Sequence, residues 1–128
     1  DTETVDVNDL TGEIIGAAIE IHRHLGPGLL ESAYEECMVF ELRNRGLQVE
    51  SQVALPVLYK GKRLNAGYRI DLRVSQQVIV ELKSVRTIES IHKAQLLTYL
   101  KLARIRYGLL LNFNVPLMKQ GIHRFLNG

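Results

Sequence analysis

Two carboxylates and a lysine occupy matching positions on the two strands of a predicted β-hairpin. Residues 67–74 and 78–83 each alternate apolar and polar side chains, which is the pattern of a strand with one buried face. Pairing around the three-residue turn between them would place Asp71 directly opposite Glu81. Facing carboxylates repel one another, and a divalent cation would remove that repulsion, because Mg²⁺ is commonly held by one or two carboxylates with water and substrate phosphate. Lys83 points the same way as Glu81 and adds a positive charge, so these residues predict a site that cleaves phosphodiester bonds.

The same pairing gives the hairpin one charged and one apolar face. It places Arg69 opposite Lys83. The apolar face would consist of Ile70, Leu72, Val80 and Leu82. A structural alternative for the charged face is a solvated surface on which Arg69, Lys83 and Arg73 neutralise the two carboxylates.

Length and composition are those of one ordinary globular domain. The chain has 128 residues, of which 46% are hydrophobic and 23% charged. Its net charge of +2 permits a nucleic-acid partner without requiring one. The single cysteine, Cys37, excludes an internal disulfide and a cysteine-rich zinc site. No apolar run approaches the roughly 20 residues of a membrane span, and we expect a cytoplasmic domain over residues 7–128 after a disordered tail at residues 1–6.

Hydrophobic periodicity and turn residues predict an α/β layered domain with a mixed sheet and the element order ααβββαββ. Helices are predicted from the N-cap Asn8 to about Leu25, from about Leu30 to Arg45, and from an N-cap at Thr87 or Ser90 to about Leu102. Strands are predicted at residues 48–60, 67–74, 78–83, 106–113 and 122–126. Pro56 interrupts the first of these strands, which indicates a sheet edge or a bulge.

Polar side chains on the helices would lie near the hairpin. Glu31 stands at the start of the second helix, where a carboxylate also complements the helix dipole without any catalytic role. His92, Gln95 and Tyr99 have the spacing i, i+3, i+7 and therefore share one face of the third helix. Tyr34 and His22 fall on apolar stripes and are predicted to be core residues.

This combination resembles a known family of nucleases. Asp71, then Glu81-Leu-Lys83, then Gln95-Leu-Leu-Thr-Tyr99 is similar to the motifs of the PD-(D/E)xK nuclease superfamily, especially its helicase-associated exonuclease branch. The resemblance implies a restriction-endonuclease-like core with a mixed sheet flanked by helices.

A second motif narrows the resemblance. Gly28-x-x-Glu31-x-x-Tyr34 resembles the small GxxExxY family within that superfamily, and the similarity extends from about Val7 to Leu126. The proline that often precedes the aspartate in the superfamily is replaced here by Ile70.

The resemblance also implies roles for individual residues. The ligands of a Mg²⁺ or Mn²⁺ ion would be Asp71, Glu81, the backbone carbonyl of Leu82 and, through water, Glu31. Glu31 would otherwise orient the attacking water. Lys83 would orient or activate that water and offset charge on the phosphate, so the catalytic set is Glu31, Asp71, Glu81 and Lys83. Gln95 and Tyr99 would contact the nucleic-acid strand, and His92 shares their helix face.

Three functions follow from the sequence. The first is a Mg²⁺- or Mn²⁺-dependent nuclease acting on DNA without sequence specificity. The second is a nuclease-fold module with little or no turnover that binds nucleic acid or protein. The third is a chain that works as a homodimer or within a larger complex, because the first helix is apolar over a wide arc. That arc consists of Ile14, Ile15, Ala18, Ile19, Ile21 and Leu25.

Overall fold

The computed structural model describes residues 6–65 and 67–128, so most of the predicted tail at residues 1–6 lies outside the described residues. The helices are α1 (Val7–Leu25), α2 (Glu31–Asn44) and α3 (Ser90–Ala103). The strands are β1 (Val49–Ala54), β2 (Val57–Tyr59), β3 (Lys62–Leu64), β4 (Arg69–Val74), β5 (Val78–Lys83), β6 (Tyr107–Asn112) and β7 (Ile122–Leu126). A short 3-10 helix, Met118–Gly121, precedes β7.

Five strands form the main sheet in the order β1-β4-β5-β6-β7. Strands β5 and β6 are parallel and joined through α3, whereas the other neighbours in this sheet are antiparallel. The main sheet and the three helices follow the order ααβββαββ, so the prediction of a mixed sheet flanked by helices is confirmed.

The predicted strand at residues 48–60 is wrong in one respect. β1 is an edge strand, as Pro56 indicated, but the chain leaves the main sheet at that proline, which has no N–H to continue the ladder. Strands β2 and β3 then pair only with each other and form a separate two-stranded sheet.

Helices cover both faces of the main sheet and create two apolar clusters. α1 and α2 pack on one face, where Tyr34 and Phe113 stack with their ring centroids 4.3 Å apart. α3 packs on the other face through Leu96 and Leu100. β6 supplies residues to both clusters, so it is covered on both faces. Full burial of each such side chain contributes about 1.5–3 kcal/mol.

Ile70 packs in a different layer from the one its strand pattern predicts. Leu72, Val80 and Leu82 belong to the cluster beneath α1 and α2, as expected. Ile70 instead packs beneath α3, so β4 does not keep a single apolar face. The change occurs beside Gln52 of β1, whose φ of 52° lies in the left-handed region and interrupts the regular alternation of the edge strand.

Two predicted helix caps are also wrong. Asp6 rather than Asn8 caps α1, and its Oδ1 accepts a hydrogen bond of 2.8 Å from the Asn8 N–H, because the N-cap carboxylate reaches the second residue of the helix. Glu89 rather than Thr87 or Ser90 is the N-cap of α3, and its N–H donates to His92 Nδ1 at 2.9 Å.

The 3-10 helix requires a glycine where it passes the end of β6. A Cβ at Gly121 would collide with the backbone carbonyl oxygen of buried Asn112. We expect Gly121→Ala to lower the free energy of unfolding by about 3 kcal/mol, because neither backbone segment can move away easily. Denaturant titration would measure this change.

Gly12→Ala is the matched control for that substitution. Gly12 lies in α1 with open space around its Cα, so alanine there should raise stability by about 0.5–1 kcal/mol through better helix propensity. Equal stability of the two variants would contradict the collision at Gly121.

Candidate active site

Strands β4 and β5 separate at the point where their carboxylates lie. Their backbone ladder runs from Val74–Val78 to Leu72–Val80 and stops before Asp71. Beyond that pair, Glu81 Oε2 accepts a hydrogen bond of 2.8 Å from the Asp71 N–H, and Asp71 Oδ2 accepts one of 2.9 Å from the Leu82 N–H. Each carboxylate therefore takes the place of a backbone acceptor on the neighbouring strand.

The two carboxylates are neighbours, as predicted, but they are not a solvated pair on an open hairpin. Glu81 is only 4% exposed. Arg73 forms an ion pair with Glu50 of β1, with Nε and Oε1 2.8 Å apart, instead of neutralising the pair. Arg69 pairs in register with Ala54 of β1 rather than lying across a ladder from Lys83. The structural alternative of an ion-paired, solvated face is therefore wrong.

Burial and mutual repulsion set the electrostatics of this acidic pair. Burial, followed by the negative charge of Asp71, raises the pKa of Glu81 to about 8. Burial also raises the pKa of Asp71, although its hydrogen bond from Leu82 acts in the opposite direction. The charge of Lys83 lowers the pKa of both carboxyl groups, so its side chain lies within electrostatic reach of the pair.

A loop fixed by Tyr34 holds Glu31 next to the end of β5. The Tyr34 hydroxyl donates to the Gly26 carbonyl at 2.6 Å and accepts from the Leu29 N–H at 3.2 Å. Ser84 follows Lys83, and its N–H donates to Glu31 Oε2 at 3.2 Å while its hydroxyl donates to the Leu29 carbonyl at 2.6 Å. Tyr34 is fully buried, which confirms the prediction that it is a core residue; buried His22 likewise matches its prediction.

The sequence analysis missed two residues near the acidic pair: Gln52 of β1 contacts Asp71, and Glu35 of α2 binds Gln52. Gln52 Nε2 donates to Glu35 Oε1 at 2.7 Å and lies 3.4 Å from Asp71 Oδ1. Glu35 stands one helical turn after Glu31 on α2, and that spacing could have identified it. The sequence held no signal for Gln52, because its position depends on a left-handed backbone conformation in β1.

α3 brings two of its three predicted side chains to the site. Gln95 Nε2 donates to the Tyr99 hydroxyl at 3.0 Å. Burial and then the negative charge of Glu81 raise the pKa of Tyr99, so the phenol lies near the acidic pair. His92 shares the helix face, but its Nδ1 accepts the hydrogen bond from Glu89 that caps the helix.

The donor set at the strand separation fits a hard divalent cation. Among residues 6–65 and 67–128, no three His, Cys, Asp or Glu side chains are grouped closely enough to hold a metal ion by themselves. Asp71 and Glu81 still provide the two carboxylates that Mg²⁺ needs when water and phosphate complete its shell. Leu82, whose N–H donates to Asp71, is the residue whose carbonyl would complete the predicted ligand set. Glu31 is bound to Ser84 rather than grouped with this pair.

Comparison with known proteins gives one family. The model of a family described as the PD-(D/E)XK nuclease superfamily matches residues 8–125. No curated protein and no solved structure matches the chain. None of the helices in the described part of the chain combines the length and apolar character that a bilayer-spanning segment needs.

The raised pKa of Glu81 predicts how the stability of the metal-free protein changes with pH. The unfolded carboxyl group titrates near 4.5 and the folded group near 8, so the protonated form favours folding. This contribution is complete below pH about 4.5 and is lost as the pH rises through about 8. We expect Glu81→Gln to remove this pH dependence. Above pH 8, the free energy of unfolding of the variant should be about 2 kcal/mol higher than that of the parent.

Chemical denaturation at a series of pH values, in the presence of a chelator, would measure this difference. Glu36→Gln on the exposed side of α2 is the control and should leave the pH profile of the parent unchanged. A Glu81→Gln profile parallel to that of the parent would show that the carboxyl group is not perturbed.

Proposed function

Since this chain belongs to the PD-(D/E)XK nuclease superfamily, we propose that it hydrolyses phosphodiester bonds of DNA at Asp71, Glu81 and Lys83 in a Mg²⁺- or Mn²⁺-dependent reaction. The observation that carries the proposal is the carboxylate pair formed by buried Glu81 and half-buried Asp71 at the point where β4 and β5 separate. A fold alone would not support an activity, because related folds host many functions.

The acidic pair would hold the cation. Asp71 and Glu81, which accept hydrogen bonds across the strand separation, would bind it with their carboxylates, and the backbone carbonyl of Leu82 would be a further ligand. A bound Mg²⁺ or Mn²⁺ would supply Lewis-acid stabilisation of the phosphate and lower the pKa of water. The positive charge of such an ion would also oppose the rise in the pKa of Glu81 that burial and then the charge of Asp71 cause.

The remaining side chains would act on the substrate and on water. Lys83 would donate to the phosphate oxygens where negative charge develops, which stabilises the transition state more than the ground state. Glu31, held by Ser84, would orient the attacking water. Gln95 and Tyr99 are joined by a hydrogen bond and would contact the strand from the α3 side, with His92 one turn away.

Within the superfamily, we propose that the chain belongs to the GxxExxY group. Gly28 has a φ of 101°, which a residue with a side chain rarely adopts, so the glycine is required by the turn before α2. Tyr34 fixes that turn by its two hydrogen bonds, and Glu31 projects from it toward Ser84. The three motif residues thus work together to position one carboxylate.

The substrate proposal is DNA cut without sequence specificity. Base-specific reading generally needs a helix or ribbon with clustered amide and basic side chains that enters a groove. Of the two helices at the site, α2 presents the carboxylates Glu31 and Glu35, and α3 presents Gln95 hydrogen-bonded to Tyr99 instead. That the protein acts in the cytoplasm remains a prediction from the sequence.

A binding module with little turnover is the second candidate, and one observation favours it. Asp71 and Glu81 are not joined by a third His, Cys, Asp or Glu in a metal-holding group among the described residues. Such a site would bind a cation weakly until a partner or substrate completed the shell. Assembly into a homodimer or a larger complex fits the exposed apolar residues of α1, Ile19 at 41% and Leu25 at 46%.

Cleavage of labelled single- and double-stranded DNA and RNA would test the proposal. We expect the parent to cut DNA with Mg²⁺ or Mn²⁺ and not with chelator, and we expect Lys83→Ala and Glu81→Ala each to lower the rate by about 100-fold or more. Lys101→Ala is the matched control, because Lys101 is an exposed lysine in the last turn of α3. Equal rates in the parent and Lys83→Ala would contradict the assignment.

Calorimetric titration with Mn²⁺ would separate the two candidate functions. Binding by the parent and not by Glu81→Ala, with no cleavage by either protein, would support the binding module. Cleavage that requires the same carboxylate would support the nuclease.

A further inference from the structure

Residues 57–64, which we call the hairpin arm, expose a surface that the core does not explain. The arm consists of β2, β3 and the turn between them, and it pairs with no strand of the main sheet. Leu58 is 65% exposed and Tyr59 is 61% exposed. A lone two-stranded hairpin is only marginally stable, so apolar side chains exposed on it indicate a binding surface rather than a folding requirement.

Positive charge is concentrated on and beside the hairpin arm. Residues 51–70 contain Lys60, Lys62, Arg63 and Arg69 and no Asp or Glu. The whole chain has 16 Lys and Arg against 14 Asp and Glu, so the rest of the chain is net acidic. A local basic surface on such a chain attracts a polyanion even though the net charge is small.

Each face of the hairpin arm combines an apolar or aromatic side chain with a cation. Tyr59 pairs in register with Lys62, and Leu58 pairs with Arg63. Lys60 Nζ lies 5.4 Å from the centroid of the Tyr59 ring. Surfaces that bind single strands combine the same two groups, because aromatic rings stack on bases while cations bind the phosphates.

The base of the hairpin arm lies next to the carboxylate site. The Leu55 N–H donates to the Tyr68 carbonyl at 2.9 Å, which closes the chain at the base of the arm. The Tyr68 ring packs edge-on against Tyr99, with centroids 6.3 Å apart, and Asp71 follows three residues after Tyr68. Arg63 and Arg69 line a small cavity of about 80 Å³ at this base, together with Leu55 and Tyr68.

We propose that the hairpin arm binds a single-stranded nucleic acid beside the scissile phosphate. Lys60, Lys62 and Arg63 bind phosphates, and Tyr59 stacks on a base. A single strand fits better than a duplex, because the faces of its bases are accessible for stacking. The inference rests on the proposed phosphodiester hydrolysis, because that reaction would bring a nucleic-acid strand to the side of the site where the hairpin arm lies.

Salt-dependent binding tests the charged part of this proposal. Fluorescence anisotropy of a labelled oligothymidine, in chelator and over a range of salt concentrations, would compare the parent with the triple variant Lys60→Gln, Lys62→Gln, Arg63→Gln. The slope of log affinity against log salt should become shallower by about 2, since each phosphate contact on a single strand contributes about 0.7. The control triple variant replaces three exposed cations elsewhere, Lys101, Lys119 and Arg124, by Gln and should leave the slope nearly unchanged.

A pair of substitutions at Tyr59 tests the stacking part. Tyr59→Ser should weaken oligothymidine binding about 5-fold or more, whereas Tyr59→Phe keeps the ring and should bind like the parent. Duplex binding should respond little to either change. Equal loss on duplex and single strand in the charge variant, with no effect of Tyr59→Ser, would overturn the single-strand assignment. Thermal unfolding would confirm that these exposed substitutions leave the fold intact.

Hydrolysis of bis(4-nitrophenyl) phosphate separates this proposal from the proposed function, because so small a substrate reports on the carboxylate site alone. The hairpin-arm variants should hydrolyse it like the parent. If the parent does not hydrolyse this substrate and the hairpin-arm variant loses nucleic-acid binding, the result supports the hairpin-arm proposal and overturns the nuclease assignment. If the parent hydrolyses the substrate but the hairpin-arm variant keeps the parent's slope of log affinity against log salt, the hairpin-arm proposal is overturned.

Discussion

The separation of β4 from β5 beyond Leu72 and Val80 is the constraint on which the rest of the site depends. Where the ladder stops, the N–H groups of Asp71 and Leu82 lose their backbone acceptors, and a buried unpaired N–H costs about 1–3 kcal/mol. The carboxylates of Glu81 and Asp71 provide the replacements. The same two side chains therefore hold the backbone open and form the acidic pair.

This arrangement keeps the charge of half-buried Asp71 close to that of buried Glu81. The backbone hydrogen bonds favour the ionised carboxylates, whereas burial opposes ionisation more strongly and raises the pKa of both. A cation would change that balance, and Lys83 already contributes to it. The same electrostatic balance thus sets the stability of the site without metal and would set its affinity for the cation that we propose.

The helices approach the separated strands from opposite faces of the sheet. α2 belongs to one layer and provides Glu31 and Glu35, while α3 belongs to the other and provides Gln95 and Tyr99. Gln52 has a backbone in the left-handed region, and its side chain bridges Glu35 of α2 and Asp71 of β4 by hydrogen bonds. Backbone strain at such a place is typical of functional sites, where surrounding structure holds a residue in an unfavourable conformation.

Local sequence determined which segments form helices and strands and which residues carry the chemistry. Hydrophobic periodicity fixed α1, β6 and β7, and the alternation of residues 67–83 made Asp71 and Glu81 neighbours, because period and turn length set the register of a hairpin.

The tertiary structure alone decided the rest. The alternation of the strand predicts that Ile70 is buried, but it does not determine which of the two apolar layers covers the side chain. The strand separation, the bridge from Gln52 to Glu35 and the use of His92 as a capping acceptor depend on groups whose geometry no local period records. The hairpin arm also went unpredicted, because Pro56 marks where a ladder stops and does not specify what the chain does next.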